Sequence, residues 1–124
     1  MRAPAVDQLV TFLDTADLTR TADFYERILG LRLARDQGTC RIYHVSGGAY
    51  LGFCQRADAI GEPRGVVVTL VTDDVDAMCA HLRRHGVEFV KEPADNPSYR
   101  IDNAFVRDPN GYVIEIQRFW EPLV

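Results

Sequence analysis

Phe105-Val-Arg-Asp-Pro-Asn-Gly-Tyr-Val-Ile-Glu-Ile116 reads as two strands and the turn between them. In Asp108-Pro109-Asn110-Gly111 the proline presets φ, and Asn-Gly tolerates the positive φ that a tight hairpin requires. β-rich runs flank it, Asn103 to Arg107 and Tyr112 to Arg118. Glu115 stands between Ile114 and Ile116, in a segment too apolar for an ordinary surface edge. A carboxylate there is paired, faces a polar cavity or binds a metal.

Outward from this hairpin the chain repeats itself loosely. Val10-Thr-Phe-Leu and Val68-Thr-Leu-Val are similar strands, each followed by acidic residues and a helical pattern. The first helix takes Asp17 or Thr19 as N-cap, buries Phe24, Ile28 and Leu29, and ends at Gly30. The second opens at Asp73 or Asp74, carries Val75, Met78, Cys79 and Leu82, and stops at Gly86. Arg83, Arg84 and His85 in its last turn suit the helix dipole. Strands follow each helix: Leu31 to Arg35, Cys40 to Val45 and Tyr50 to Gln55 in one half, Glu88 to Val90 and the hairpin strands in the other. Each half is βαβββ. Asp58, Gly61 and Pro63 mark a linker over Arg56 to Arg64, and Glu92 to Ser98 reads as a loop bordering whatever binds.

Composition bounds the function. At 124 residues and 47% hydrophobic, the chain can bury a core but is too short for two ordinary domains. A net charge of −4 argues against a phosphate-backbone binder, so no nucleic-acid partner is expected. No apolar run is long enough for a signal peptide or a membrane span, so none of either is expected. Cys40, Cys54 and Cys79 lack CxxC or zinc-finger spacing and read as reduced thiols in a cytoplasmic protein.

Two segments taken together carry more. Asp17-Leu18, Phe24-Tyr25 and Leu29-Gly30-Leu31 precede Asp108-Pro-Asn-Gly-Tyr112 with Ile114-Glu115. In combination these resemble the vicinal oxygen chelate superfamily of glyoxalases, bleomycin-resistance proteins and extradiol dioxygenases, over nearly the whole chain. The resemblance implies an α+β fold in which two βαβββ modules, residues 6–56 and 65–120, pair their sheets around a cupped cavity as one domain, 1–124. It also implies a homodimer. Fold alone does not choose among the family's chemistries.

Strand alternation assigns faces. Tyr112, Ile114 and Ile116 suit the helix side, so Val113, Glu115 and Gln117 point into the cup. Leu51 and Phe53 likewise leave Tyr50, Gly52 and Cys54 inside. Gln8, Val10 and Phe12 share one face of the opening strand; Val67, Thr69 and Val71 share one face of the fifth. The ligand-contacting set is Gln8, Val10, Phe12, Tyr50, Gly52, Cys54, Val67, Thr69, Phe105, Glu115 and Gln117. The family's metal slots align with Val10, Gly52, Val67 and Glu115. Valine and glycine side chains donate nothing and a divalent ion needs three ligands or more, so no metal and no other cofactor is expected.

Gln8, His44, Cys54 and Glu115 are the donors from which a displaced site would be built, but His44 in Arg41-Ile-Tyr-His-Val reads more simply as a half-exposed strand residue. Glu115 is either paired with Arg41, Arg100 or Arg107 or contacts a ligand. Cys40 and Cys54 read as inert thiols rather than nucleophiles. Tyr50, Phe12, Phe105 and Trp120 are candidates to stack on a flat ligand. Ser46-Gly47-Gly48 is a hairpin turn, not a phosphate loop, and the apolar tail Phe119-Trp-Glu-Pro-Leu-Val124 lids the cavity or, preferably, packs on a partner subunit. The expected function is binding of a small organic molecule in a metal-free cavity. The alternatives are a metal-independent isomerase, cyclase or hydrolase with Glu115 as general base, its pKa raised by apolar neighbours, and a metal-dependent lyase or dioxygenase with displaced ligands.

Overall fold

The computed structural model describes residues 3–59 and 63–123. The chain divides into two units, Met1–Gly61 and Glu62–Val124, each considered by itself below. Residues 60–62 of the expected linker, the first two residues and Val124 of the expected tail lie outside the described residues.

Unit 1 runs β1 (Leu9–Thr15), α1 (Leu18–Ala22) with a π-helical continuation (Asp23–Ile28), β2 (Arg32–Asp36), β3 (Cys40–Ser46) and β4 (Ala49–Gln55). Unit 2 runs β5 (Val67–Val71), α2 (Val75–Arg84), β6 (Phe89–Asn96), β7 (Ile101–Arg107) and β8 (Val113–Phe119). The sheets have the same plan, in orders β1-β4-β3-β2 and β5-β8-β7-β6. In each, the first strand pairs parallel with the fourth and the others are antiparallel. The fold is α+β, and neither sheet closes into a barrel.

Local chemistry accounts for the helix ends. The Asp17 carboxylate accepts from the Arg20 amide and caps α1; Asp74 does the same for the Ala77 amide and α2. Gly30 and Gly86, at φ 71° and 72°, end the two helical segments in the left-handed region that glycine tolerates. Beyond Ala22 the winding widens, and Leu29 N donates to the Phe24 carbonyl five residues back. A wider turn rotates successive side chains through a smaller angle, which suits the burial of both Phe24 and Tyr25.

One face of each sheet is covered and apolar. Tyr43, Leu51 and Phe53 pack with Tyr25 in unit 1, the Tyr25 and Phe53 rings 4.4 Å apart. Ala104, Val106, Ile114 and Ile116 are buried with Leu82 in unit 2. Sealing these faces is the main stabilising term, about 25 cal/mol per Å² of apolar surface removed from water. The side chains on the opposite faces are the ones available for function.

Two expectations are corrected. Cys40 and Cys54 are not free thiols: they form a disulfide. The reason is register, since the two lie seven residues before and seven after Gly47 and stand opposite each other on β3 and β4. Cys79 alone is free and buried. This removes the argument for a cytoplasmic location that rested on three reduced thiols. Secondly, the strand expected at Glu88 to Val90 extends well past Val90, so most of the expected Glu92 to Ser98 loop is strand β6. Pro93 is tolerated because β6 is an edge strand whose pairing with β7 shifts register between Lys91 and Ala94. Among the described residues no helix is long and apolar enough to cross a membrane.

Candidate functional site

The turn at Asp108 sets up the site. The Asp108 carboxylate accepts from the Asn110 and Tyr112 amides at 2.8 and 2.9 Å, and only Gly111 of the Asn-Gly pair takes positive φ, 89°. That closure fixes β7 against β8, with Phe105 opposite Glu115 and Asn103 opposite Gln117. Alternation then buries Ile114 and Ile116 and turns Glu115 and Gln117 to the open face. Thr69 reaches Glu115 from β5, its directly paired position.

Around Glu115 both carboxylate oxygens are hydrogen-bonded. Its Oε1 accepts from the Thr69 hydroxyl at 2.8 Å, and its Oε2 accepts from Asn103 Nδ2 at 2.9 Å and Gln117 Nε2 at 2.8 Å. Asn103 is in turn aimed by Lys91, whose ammonium donates to Asn103 Oδ1 at 2.9 Å and to its carbonyl at 3.0 Å. Lysine has no acceptor, so it fixes which end of the amide faces Glu115. Asn103 and Gln117 are 3% and 8% exposed, so losing a partner would leave a buried amide unsatisfied.

This constellation answers the question of how Glu115 is held. It is in no ion pair with the expected arginines. Arg41 lies near Glu26 and Asp36, Arg100 is paired with Glu121, and Arg107 donates to the Gly111 carbonyl. Ile114 and Ile116 face the other way, the carboxylate is hydrogen-bonded by a hydroxyl and two amides, and Phe105 is its cross-strand neighbour. Above this floor opens a cavity of about 610 Å³, walled by Tyr99, Phe105 and Phe119, with Ile101 and Asn96 at its margin. Trp120 is outside it, fastened within its own unit by an Nε1 bond to Asp102 and by the Arg100 guanidinium over its ring.

The equivalent face of unit 1 carries different chemistry. Gly52 pairs with Phe12 as Glu115 pairs with Thr69. The Phe12 ring lies so close over Gly52 that a Cβ there would meet ring atoms at 2.5 Å. A smaller cavity of about 340 Å³ is lined by Gln8, Val10 and Tyr50 together with Arg32 and Arg35. Gln8 Nε2 donates to the Tyr50 hydroxyl, and the His44 ring packs against Tyr50 at a tilt of 56° while its Nε2 contacts the Gly47 carbonyl.

Of the residues singled out from sequence, the structure therefore gathers Thr69, Phe105, Glu115 and Gln117 around one floor and Gln8, Val10 and Tyr50 around another. Val67 is an exposed edge residue, and Cys54 is committed to its disulfide. Sequence reasoning missed Lys91, Asn103 and Tyr99, and gave Phe119 only as the start of a tail that lids the cavity or packs on a partner subunit. Asn103 was within reach, since it shares a strand parity with Phe105.

These donors do not fit a metal. Three of the four slots, Val10, Gly52 and Val67, offer no donor atom, and Phe12 fills the space at the second. The fourth, Glu115, already accepts three hydrogen bonds. The displaced set fares no better, with Cys54 oxidised. Among the described residues no group of three His, Cys, Asp or Glu is placed to hold an ion.

Two four-stranded sheets of identical order, each with a helix on one face and a pocket on the other, define a βαβββ-repeat protein of the glyoxalase type. The family model described as Glyoxalase/Bleomycin resistance protein/Dioxygenase superfamily matches residues 6–116, and the chain belongs to that superfamily. A probable lactoylglutathione lyase of Vibrio cholerae is 26% identical, the match covering 87% of each chain. A lactoylglutathione lyase of Haemophilus influenzae is 30% identical over 86% of this chain and 88% of its own. In structure, a glyoxalase/bleomycin resistance protein/dioxygenase from Nocardioides superposes with a TM-score of 0.74 at 23% identity, covering 99% of this chain and 89% of its own.

Proposed function

We propose that the protein binds a small, partly aromatic organic molecule on the open face of unit 2, without a metal. The observation that carries this reading is the floor itself: a carboxylate held by one hydroxyl and two amides, ringed by Tyr99, Phe105 and Phe119. Such a site orients a ligand by a few fixed polar groups and gains affinity from apolar walls. The lyase activity named for the relatives is not carried over, because three of the four metal slots hold no donor.

A second reading, a metal-independent isomerase, cyclase or hydrolase, draws on Glu115 Oε1, which takes a single bond, from Thr69, and so keeps a lone pair for a substrate proton. Glu115→Gln separates the two. In a thermal-shift and calorimetric screen of aromatic metabolites and antibiotics, a binder retains its hit within a few-fold in this variant unless the hit is cationic. A base-dependent enzyme instead loses turnover. Absence of any hit for the wild-type protein would sink the binding reading.

The proposal includes a two-copy state. The edge strands β1 and β5 expose Leu9, Phe12, Val67 and Val71, the kind of apolar edge that pairing with a second chain covers. Sedimentation showing a monomer at all concentrations would remove that part.

A further inference from the structure

The two arginines of β2 are three residues apart, a spacing that on a regular strand sends side chains to opposite faces. Here they share one. Between Leu33, which pairs with Tyr43, and Arg35, which pairs with Ile42, β2 carries an extra residue, a β-bulge. Arg32, opposite His44, and Arg35, opposite Ile42, thus line the same open-face cavity of unit 1.

Their charge is uncompensated. Three other arginines of the unit lie beside carboxylates: Arg27 by Asp23, Arg41 by Glu26 and Asp36, Arg56 by Asp14 and Asp58. Arg32 and Arg35 have no hydrogen bond or ion pair among the described residues, in a chain whose net charge is −4. Asp14, which shares this face by strand parity, stands at the far end of β1 and pairs with Arg56. Two unopposed guanidiniums beside a cavity attract an anion, and their planar forks match a carboxylate.

The rest of the cavity describes the body of that anion. Val10, Ala34 and Ile42 supply apolar wall, and Tyr50 supplies a ring held in place by His44, their centroids 5.1 Å apart. The Tyr50 hydroxyl accepts from Gln8, which leaves its own proton to donate. A volume of about 340 Å³ suits a molecule of one ring and a short arm. We infer that the open face of unit 1 is a binding site for a flat organic carboxylate, gripped by Arg32 and Arg35 with its body against Tyr50, Val10 and Ile42. This goes beyond the pocket at Glu115 and does not require it.

The test is titration calorimetry of the full chain with cinnamate as probe, against cinnamamide as its uncharged isostere and inorganic phosphate as an anion without a flat body. Cinnamate should saturate the wild-type protein with a Kd below about 1 mM. Affinity should drop about tenfold in Arg32→Ala and in Arg35→Ala, and further in the double variant, worth about 1.4 kcal/mol per tenfold. Cinnamamide and phosphate should each bind at least about tenfold more weakly than cinnamate. Arg20→Ala, on the surface of α1, should bind as wild type. Arg32 and Arg35 line this cavity and lie outside the one at Glu115, so failure of one reading leaves the other standing. Both arginines are exposed, and thermal melts verify that the variants fold. No saturation by cinnamate, undiminished binding in the double variant, or equal binding of the amide each overturns the site. Phosphate binding as tightly as cinnamate overturns the flat-carboxylate assignment.

Discussion

Units 1 and 2 share strand order and register, and their open faces have opposite chemistry. Where the first strand of unit 2 offers Thr69, the fourth keeps Glu115 and a floor of amides. Where the first strand of unit 1 offers Phe12, the fourth has only Gly52 beneath the ring. Positive charge then enters unit 1 from β2, whereas the Lys91 ammonium on β6 of unit 2 is absorbed by Asn103. A repeated backbone plan fixes which positions face outward. A single residue on the neighbouring strand decides whether a carboxylate can stand there.

The largest effect on this contrast should come from Asn103→Leu. It strips Lys91 of a side-chain acceptor and Glu115 of a donor in a nearly closed setting, and urea unfolding should register a loss of about 3 kcal/mol. A change below about 1 kcal/mol would mean that the amide floor is not held as described. In unit 1, removing the disulfide with Cys54→Ser should cost about 2–3 kcal/mol, for a closed loop spanning 14 residues. A thiol titration of the denatured, unreduced protein should find one free thiol, Cys79, and three would refute the bond. Gly52→Ala is expected to cost about 1 kcal/mol, because the half-exposed Phe12 ring must swing away from the new methyl group. Paired with Phe12→Ala, which empties that space, the same change should cost less than it does alone.

The smallest effects are in the pH profile, and they too divide the units. Burial, and then the hydrogen bond to Glu26, push the Tyr43 hydroxyl up to about 12 from an ordinary value near 10. A raised folded pKa is stabilising below the unfolded value and is lost as pH climbs through the folded one, so stability should sag between about pH 10 and 12. In unit 2, hydrogen bonds from Trp120 and Arg118 hold the Asp102 carboxyl below the usual range. That contribution is present at neutral pH and is lost as pH falls below about 4. Unfolding midpoints measured against pH should show a flatter alkaline limb in Tyr43→Phe and a flatter acid limb in Asp102→Asn. Unchanged limbs would contradict both assignments.

Most of the architecture was legible because its signals are local. The Asp-Pro-Asn-Gly turn, the aspartate caps and strand alternation depend on neighbours a few residues apart, and they oriented Glu115 and Gln117 correctly. What escaped was set by register between strands. The pairing of Cys40 with Cys54 follows from counting outward from Gly47-Gly48, a count that must also absorb an irregularity near Ser46. β6 hid behind Pro93, which would argue against a strand anywhere but at a sheet edge. Lys91 was invisible as a site residue because its role is to aim Asn103, a neighbour across the β6–β7 ladder.

The bulge in β2 has an evolutionary side. Deleting the one surplus residue, Ala34, would restore regular alternation and leave Arg32 and Arg35 two residues apart, still opposite His44 and Ile42 on the open face. A lineage can therefore gain or lose one residue in this strand while the positive charge that the cavity displays stays the same. Comparison of relatives by substitution alone would overlook such a step.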